Sequence, residues 1–117
     1  MIPHGVEIFV GLEPIDLRWG FDRLCGMVEE RVGRSARSGA LFVFFGRRRT
    51  AVKVVFADRT GICIFYKRLD AGTYRLPLAP DGATSVTIEE HALDELLDGI
   101  DLEHATRKPH PARVRMH

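Results

Sequence analysis

The sequence predicts a single α+β domain, mainly an antiparallel meander sheet with two helices packed on it. Residues 41 to 77 break into short runs rich in Val, Ile, Phe and Tyr, parted by turn residues. Two other stretches, from Leu17 to Val32 and from Thr87 to Gly99, space their apolar residues as helices do. At 117 residues the chain has room for one ordinary core and not two. We assign residues 1 to 103 to that domain and 104 to 117 to a basic tail expected to be disordered, because HATRKPHPARVRMH has little to bury.

Residues 6 to 10, VEIFV, end at Gly11 and read as a short strand able to pair with the sheet edge. Pro14 blocks a helix across that point, and Asp16 stands where an N-cap would serve the helix that follows. In that helix Leu17, Phe21, Leu24, Cys25, Val28 and Val32 form an apolar stripe. Gly20 and Gly26 lie within it and call for close packing against the sheet. Trp19 is expected to pack at the helix start, with contact to a partner as the alternative. Residues 33 to 40, GRSARSGA, are small and polar and form a loop.

The strands of the meander are expected at 41 to 45, 51 to 57, 62 to 68 and 73 to 76. Gly61 and Gly72 suit three-residue hairpin loops that need a left-handed residue. If Asp58 then pairs with Ile62 and Leu69 with Thr73, Lys53 lies opposite Lys67, and Lys67 opposite Arg75. Alternation places Val52, Val54, Phe56, Ile62, Ile64, Tyr66 and Leu76 on one face, and Lys53, Val55, Cys63, Phe65, Lys67 and Arg75 on the other. Three like charges in a row across three strands are destabilising unless something anionic meets them. The plainer reading is a solvated face.

After Pro77 and Pro80, Asp81-Gly82 makes a turn and SVTI a last strand or an extended lead-in. Thr87 and Glu90 have capping-box spacing. Leu93, Leu96, Leu97 and Ile100 make the apolar face of the second helix, and Gly99 its stop. Its outer face is acidic through Glu89, Glu90, Asp94, Glu95 and Asp98, a solvated surface or a docking one.

Net charge is only +1, but it is segregated. Residues 31 to 75 hold eleven Lys or Arg against two acids, and residues 76 to 106 hold eight acids and no Lys or Arg. That pattern suits a basic surface for a polyanion beside an acidic element. No run reaches the ~18 apolar residues of a membrane span, and the start lacks the order of regions of a signal peptide. Two cysteines, Cys25 and Cys63, with no metal spacing read as reduced core thiols, so a cytoplasmic location is expected.

Catalytic patterns are absent from the sequence. Asp16 is a cap and Asp58 and Asp70 are turn residues, so no carboxylate set for a divalent metal is expected. The five histidines have no zinc spacing, and no nucleophile elbow, P-loop or dinucleotide motif occurs. Neither a metal nor a cofactor is expected.

Four blocks, DLRWGFDRL at 16 to 24, LFVFFGRRRTAVKVVFADRTG at 41 to 61, YKRLDAGTYRLP at 66 to 77 and LLDGID at 96 to 101, resemble the accessory protein TnpB of insertion sequence 66 family elements. The resemblance spans roughly residues 1 to 102 in order. It departs from the family pattern at Trp19, Phe56 and Leu76. It implies a non-catalytic product of a bacterial mobile element that works beside a separate transposase. On this ground the basic row, Lys53, Lys67 and Arg75, together with Arg47, Arg48, Arg49 and Arg68, is expected to contact DNA phosphates with little sequence specificity. No helix carries the Arg, Asn and Gln of a major-groove reader. The rival expectation is an adaptor that binds the transposase or another protein of the element, and an open sheet edge would allow a homodimer.

Overall fold

A computed structural model describes residues 5 to 99. The expected tail, the end of the expected domain at 103 and Ile100 lie outside them. The elements are β1 (Ile8–Gly11), α1 (Phe21–Met27) running into a π-helical turn (Val28–Val32), β2 (Leu41–Phe45), β3 (Ala51–Ala57), β4 (Ile62–Arg68), β5 (Ser85–Ile88) and α2 (Glu90–Asp98). They form one five-stranded sheet in the order β4-β3-β2-β1-β5, so the α+β class holds.

The sheet is mostly antiparallel, with one exception. β1 lies inside it, parallel to β2 and antiparallel to β5. Parallel neighbours need a crossover, and α1 with its flanking loops supplies it on one face. That face buries Phe9, Phe42, Phe44 and Val55 under Leu24, Met27 and Val28. The other buries Val10, Val43, Phe45, Val52 and Val54 under Tyr74 and Leu93 of α2. Both faces are covered, which is why β2, and β3 apart from Lys53, read as continuous apolar runs.

The expected fourth strand at 73 to 76 does not form. Tyr74 is fully buried, but its amide donates to the Arg49 carbonyl in the β2–β3 turn, 2.7 Å away, and not to β4. Apolar alternation there reflects burial of a crossing segment. The β3–β4 register also differs from expectation by one residue. Ala57 pairs with Ile62, so Lys53 faces Tyr66, and Lys67 faces Val52. The reason is a four-residue turn. The Asp58 carboxylate accepts from the amides of Thr60 and Gly61, both at 2.9 Å, and from the Thr60 hydroxyl. Those two amides, first that of Thr60, hold the Asp58 carboxyl below its usual range. Gly61 is not left-handed, whereas Gly72 is, at φ +79°. A one-residue slip moves every β4 side chain to the other face, so Cys63, Phe65 and Lys67 lie with Val52 and Val54, away from Lys53.

Helix ends differ as well. α1 begins at Phe21 after Gly20, and Asp16 caps a local turn. Nothing lies within 4 Å of a Cβ placed at Gly20 or Gly26, so close packing does not explain either glycine. At α2 the N-cap is Glu89 without a side-chain bond, because Thr87 is committed to β5. Gly99 ends α2 as expected, in the left-handed region at φ +67°. Cys25 and Cys63 are free and half-buried, at the margin of the core. Among the described residues no helix is long and apolar enough to cross a membrane.

Candidate nucleic-acid interface

The segment from Pro14 to Trp19, between β1 and α1, is held down at three points. Ile15 donates its amide to Phe45 across a bridge to Gly46, at 2.9 Å. Leu17 packs on Gly46, where a Cβ would come within 2.8 Å of it, so only glycine fits without a shift. Lys53, only 8% exposed, reaches from β3 and donates its ammonium to the carbonyls of Leu17 and Trp19, at 2.7 and 2.9 Å. The ammonium also lies 4.8 Å from the centre of the Tyr66 ring.

Between this segment and the β2–β3 turn opens a cleft of about 780 Å³. Arg47 and Arg48 from the turn, Arg68 from the end of β4 and Arg31 from the π-helical turn line it, with Trp19 and Asp16. Arg31 is fixed, donating to the carbonyls of Glu13 and Pro14 and pairing with the Glu13 carboxylate at 3.5 Å. Its guanidinium and that of Arg23 lie 5.9 and 4.6 Å from the centre of the Trp19 ring. Arg47, Arg48 and Arg68 are exposed, and none pairs with a carboxylate among the described residues. The single acid of the cleft is engaged: Arg18 donates to Asp16 at 2.7 Å. That side-chain bond, then the Arg18 amide, holds the Asp16 carboxyl down at about 2.

Of the seven residues expected at the interface, the structure thus gathers Arg47, Arg48 and Arg68 around one cleft. Arg49 is exposed in the same turn, in left-handed conformation at φ +58°, which points its carbonyl to Tyr74. The other three do not join them. Lys53 is buried beneath the 14–19 segment. Lys67 is on the opposite face, donating to the Leu97 carbonyl of α2 at 2.9 Å. Arg75 borders an apolar groove beside α2. The expected row of Lys53, Lys67 and Arg75 does not exist, a direct result of the register and of the missing fourth strand. Arg31 and the 14–19 segment were not among the expected site residues, since only tertiary packing brings them to the turn. Among the described residues no three His, Cys, Asp or Glu side chains converge as metal ligands would.

Comparison with known families is decisive about kinship. The model of the IS66 Orf2-like proteins matches residues 6 to 107. The chain belongs to this family. It is 37% identical over 116 residues to the uncharacterized protein y4hO of Sinorhizobium fredii, a match covering 97% of this chain and 99% of that one. A second uncharacterized protein of that organism, y4jC, is 30% identical over 106 residues, covering 91% and 89%. No solved structure matches. Membership of the IS66 Orf2-like family ties the chain to transposition of insertion sequences.

Proposed function

We propose that this IS66 Orf2-like protein is a non-catalytic accessory factor that contacts DNA through the basic cleft. The observation that carries the reading is the convergence of Arg47, Arg48 and Arg68, three exposed guanidinium groups with no carboxylate partner among the described residues, beside the fixed Arg31. Guanidinium groups bind phosphate in a forked geometry, and contacts to phosphate set affinity and orientation without reading bases. The cleft replaces the sheet face expected from the sequence as the contacting surface.

The test is fluorescence anisotropy of the purified chain with labelled duplex DNA, with and without the ends of the element, across a salt series. Three phosphate contacts give a log–log slope of about −3, and the double substitution Arg47→Ala, Arg48→Ala reduces it by about 2. No binding at low salt, or an unchanged slope in the double variant, overturns the cleft as the interface.

A second reading, an adaptor for the transposase or another protein of the element, draws support from the apolar groove of about 260 Å³ between residues 75 to 77, Ile88 and α2. Glu95 of the acidic helix lines it. Capture of the transposase by wild type, lost on Leu96→Glu while DNA affinity persists, would favour that reading.

A further inference from the structure

The two edges of the sheet are unlike. β5 has four residues and passes through Glu89 directly into α2. β4 has seven, ICIFYKR, with neither Pro nor Gly to blunt it. The register identifies which of its backbone groups face outward. Asp58 donates to the Gly61 carbonyl and Leu69 to that of Thr50, so the hydrogen-bonded positions facing β3 are Gly61, Cys63, Phe65, Lys67 and Leu69. By alternation, the N–H and C=O groups of Ile62, Ile64, Tyr66 and Arg68 turn away from β3. Among the described residues no hydrogen bond meets them. Three of these four positions carry apolar or aromatic side chains, with Ile62 and Ile64 half-buried and Tyr66 48% exposed, and the fourth is the exposed Arg68.

We infer that this edge is an interface for a second copy of the chain, β4 pairing antiparallel with β4 about a two-fold axis at Phe65. This register overlaps all seven residues. It sets the outward groups of Ile64 against those of Tyr66 in the second copy, and those of Ile62 against Arg68, closing roughly eight backbone hydrogen bonds. Self-pairing suits the order of side chains. Ile64 and Tyr66 form the favoured β-branched and aromatic pair, twice. Lys67 meets Cys63 of the second copy and Arg68 meets Ile62, so no like charges oppose, because the two-fold sends the cationic end of each strand to the apolar end of the other. One sheet then runs through both copies, with the two basic clefts open on the same face. The pairing stands on the backbone and does not depend on DNA binding.

Sedimentation equilibrium of the full chain at tens of micromolar tests it. The expected mass is twice 13.2 kDa. Tyr66→Pro removes an outward N–H, together with the ring that lies over the Lys53 ammonium, and spares the backbone ladder to β3, so it halves the mass while the circular dichroism spectrum stays that of wild type. Thr87→Pro, at an outward position of β5, leaves the dimer intact. Hydrogen exchange on wild type needs no variant: the amides of Ile64 and Tyr66 are protected when concentrated and exchange fast on dilution. A monomer at tens of micromolar overturns the inference. So does a folded Tyr66→Pro dimer, or a wild-type dimer whose Ile64 and Tyr66 amides exchange freely. Protection of those amides in a monomer shows the edge covered by the chain itself, and overturns it too.

Discussion

Lys53 and Lys67 sit on adjacent strands of one hairpin and serve opposite faces of the sheet. Lys53 is a strut: its ammonium bonds two carbonyls of the 14–19 segment and so holds one wall of the basic cleft. Lys67 is a helix-end cation, bonding one carbonyl in the last turn of α2, where the dipole favours it. Neither is available to a polyanion. The arginines of the β2–β3 turn and Arg68 are. Basic residues of the meander therefore divide by chemistry: the ammonium groups of Lys53 and Lys67 bond backbone carbonyls, and the guanidinium forks of Arg47, Arg48, Arg49 and Arg68 remain outside.

The comparison breaks or sharpens on a few substitutions. Lys53→Met leaves two carbonyls of the 14–19 segment without their charged donor, and we expect a loss of about 2 to 3 kcal/mol. In thermal denaturation that is a fall in Tm of roughly 10 °C or more. Lys67→Met removes one partly buried bond at a helix end and should cost about 1 kcal/mol in the same assay. Equal losses at the two lysines would contradict the strut. On the α2 face, the Tyr74 hydroxyl is buried and has no hydrogen-bond partner among the described residues, and burial pushes its pKa up to about 12. Tyr74→Phe should therefore be neutral or stabilising by up to about 1 kcal/mol in urea unfolding, since the hydroxyl carries a desolvation cost and no bond. A loss beyond about 1 kcal/mol would mean that a partner for the hydroxyl exists.

The smallest effect belongs to Asp16. Its carboxyl titrates at about 2 in the folded chain against an ordinary value of 3.8. A depressed pKa means that the pair with Arg18 contributes fully above about 4 and is lost as pH falls towards 2. Carbon-detected NMR titration should place the midpoint near 2 and move it up in Arg18→Ala. An unmoved midpoint would rule out Arg18 as the cause.

Much of the fold was legible where local pattern and tertiary role agree. Strands β2, β3 and β4 lie at the expected residues because buried β-branched and aromatic runs have few other uses. The apolar stripe from Leu24 to Val28 and the stop at Gly99 were equally plain. Register was not. Asp-Arg-Thr-Gly fits a three- or a four-residue turn, and the choice falls to one carboxylate bonding two amides. That single residue separated Lys53 from Lys67, and the missing strand at 73 to 76 separated Lys67 from Arg75. At the site, Arg47 and Arg48 were visible as a basic turn. Trp19 was read only as a helix-start residue or a partner contact, and Arg31 and the rest of the 14–19 segment were not visible as site residues, since Lys53 and Gly46 fix the segment through contacts distant in sequence.

The interior position of β1 also bears on how the chain is made. β1 pairs on one side with β2, Ile8 against Leu41, and on the other with β5, Ile8 against Ile88. During synthesis the first strand can be flanked on one side only until the residues of β5 have left the ribosome. Pairings so far apart in sequence form slowly, because loop closure precedes any reward. The hairpin of β3 and β4 can close early, whereas the sheet is finished last around its earliest-made strand. A nascent chain released before residue 85 would carry β1 with a bare flank, IFVG, open to any strand that reaches it first.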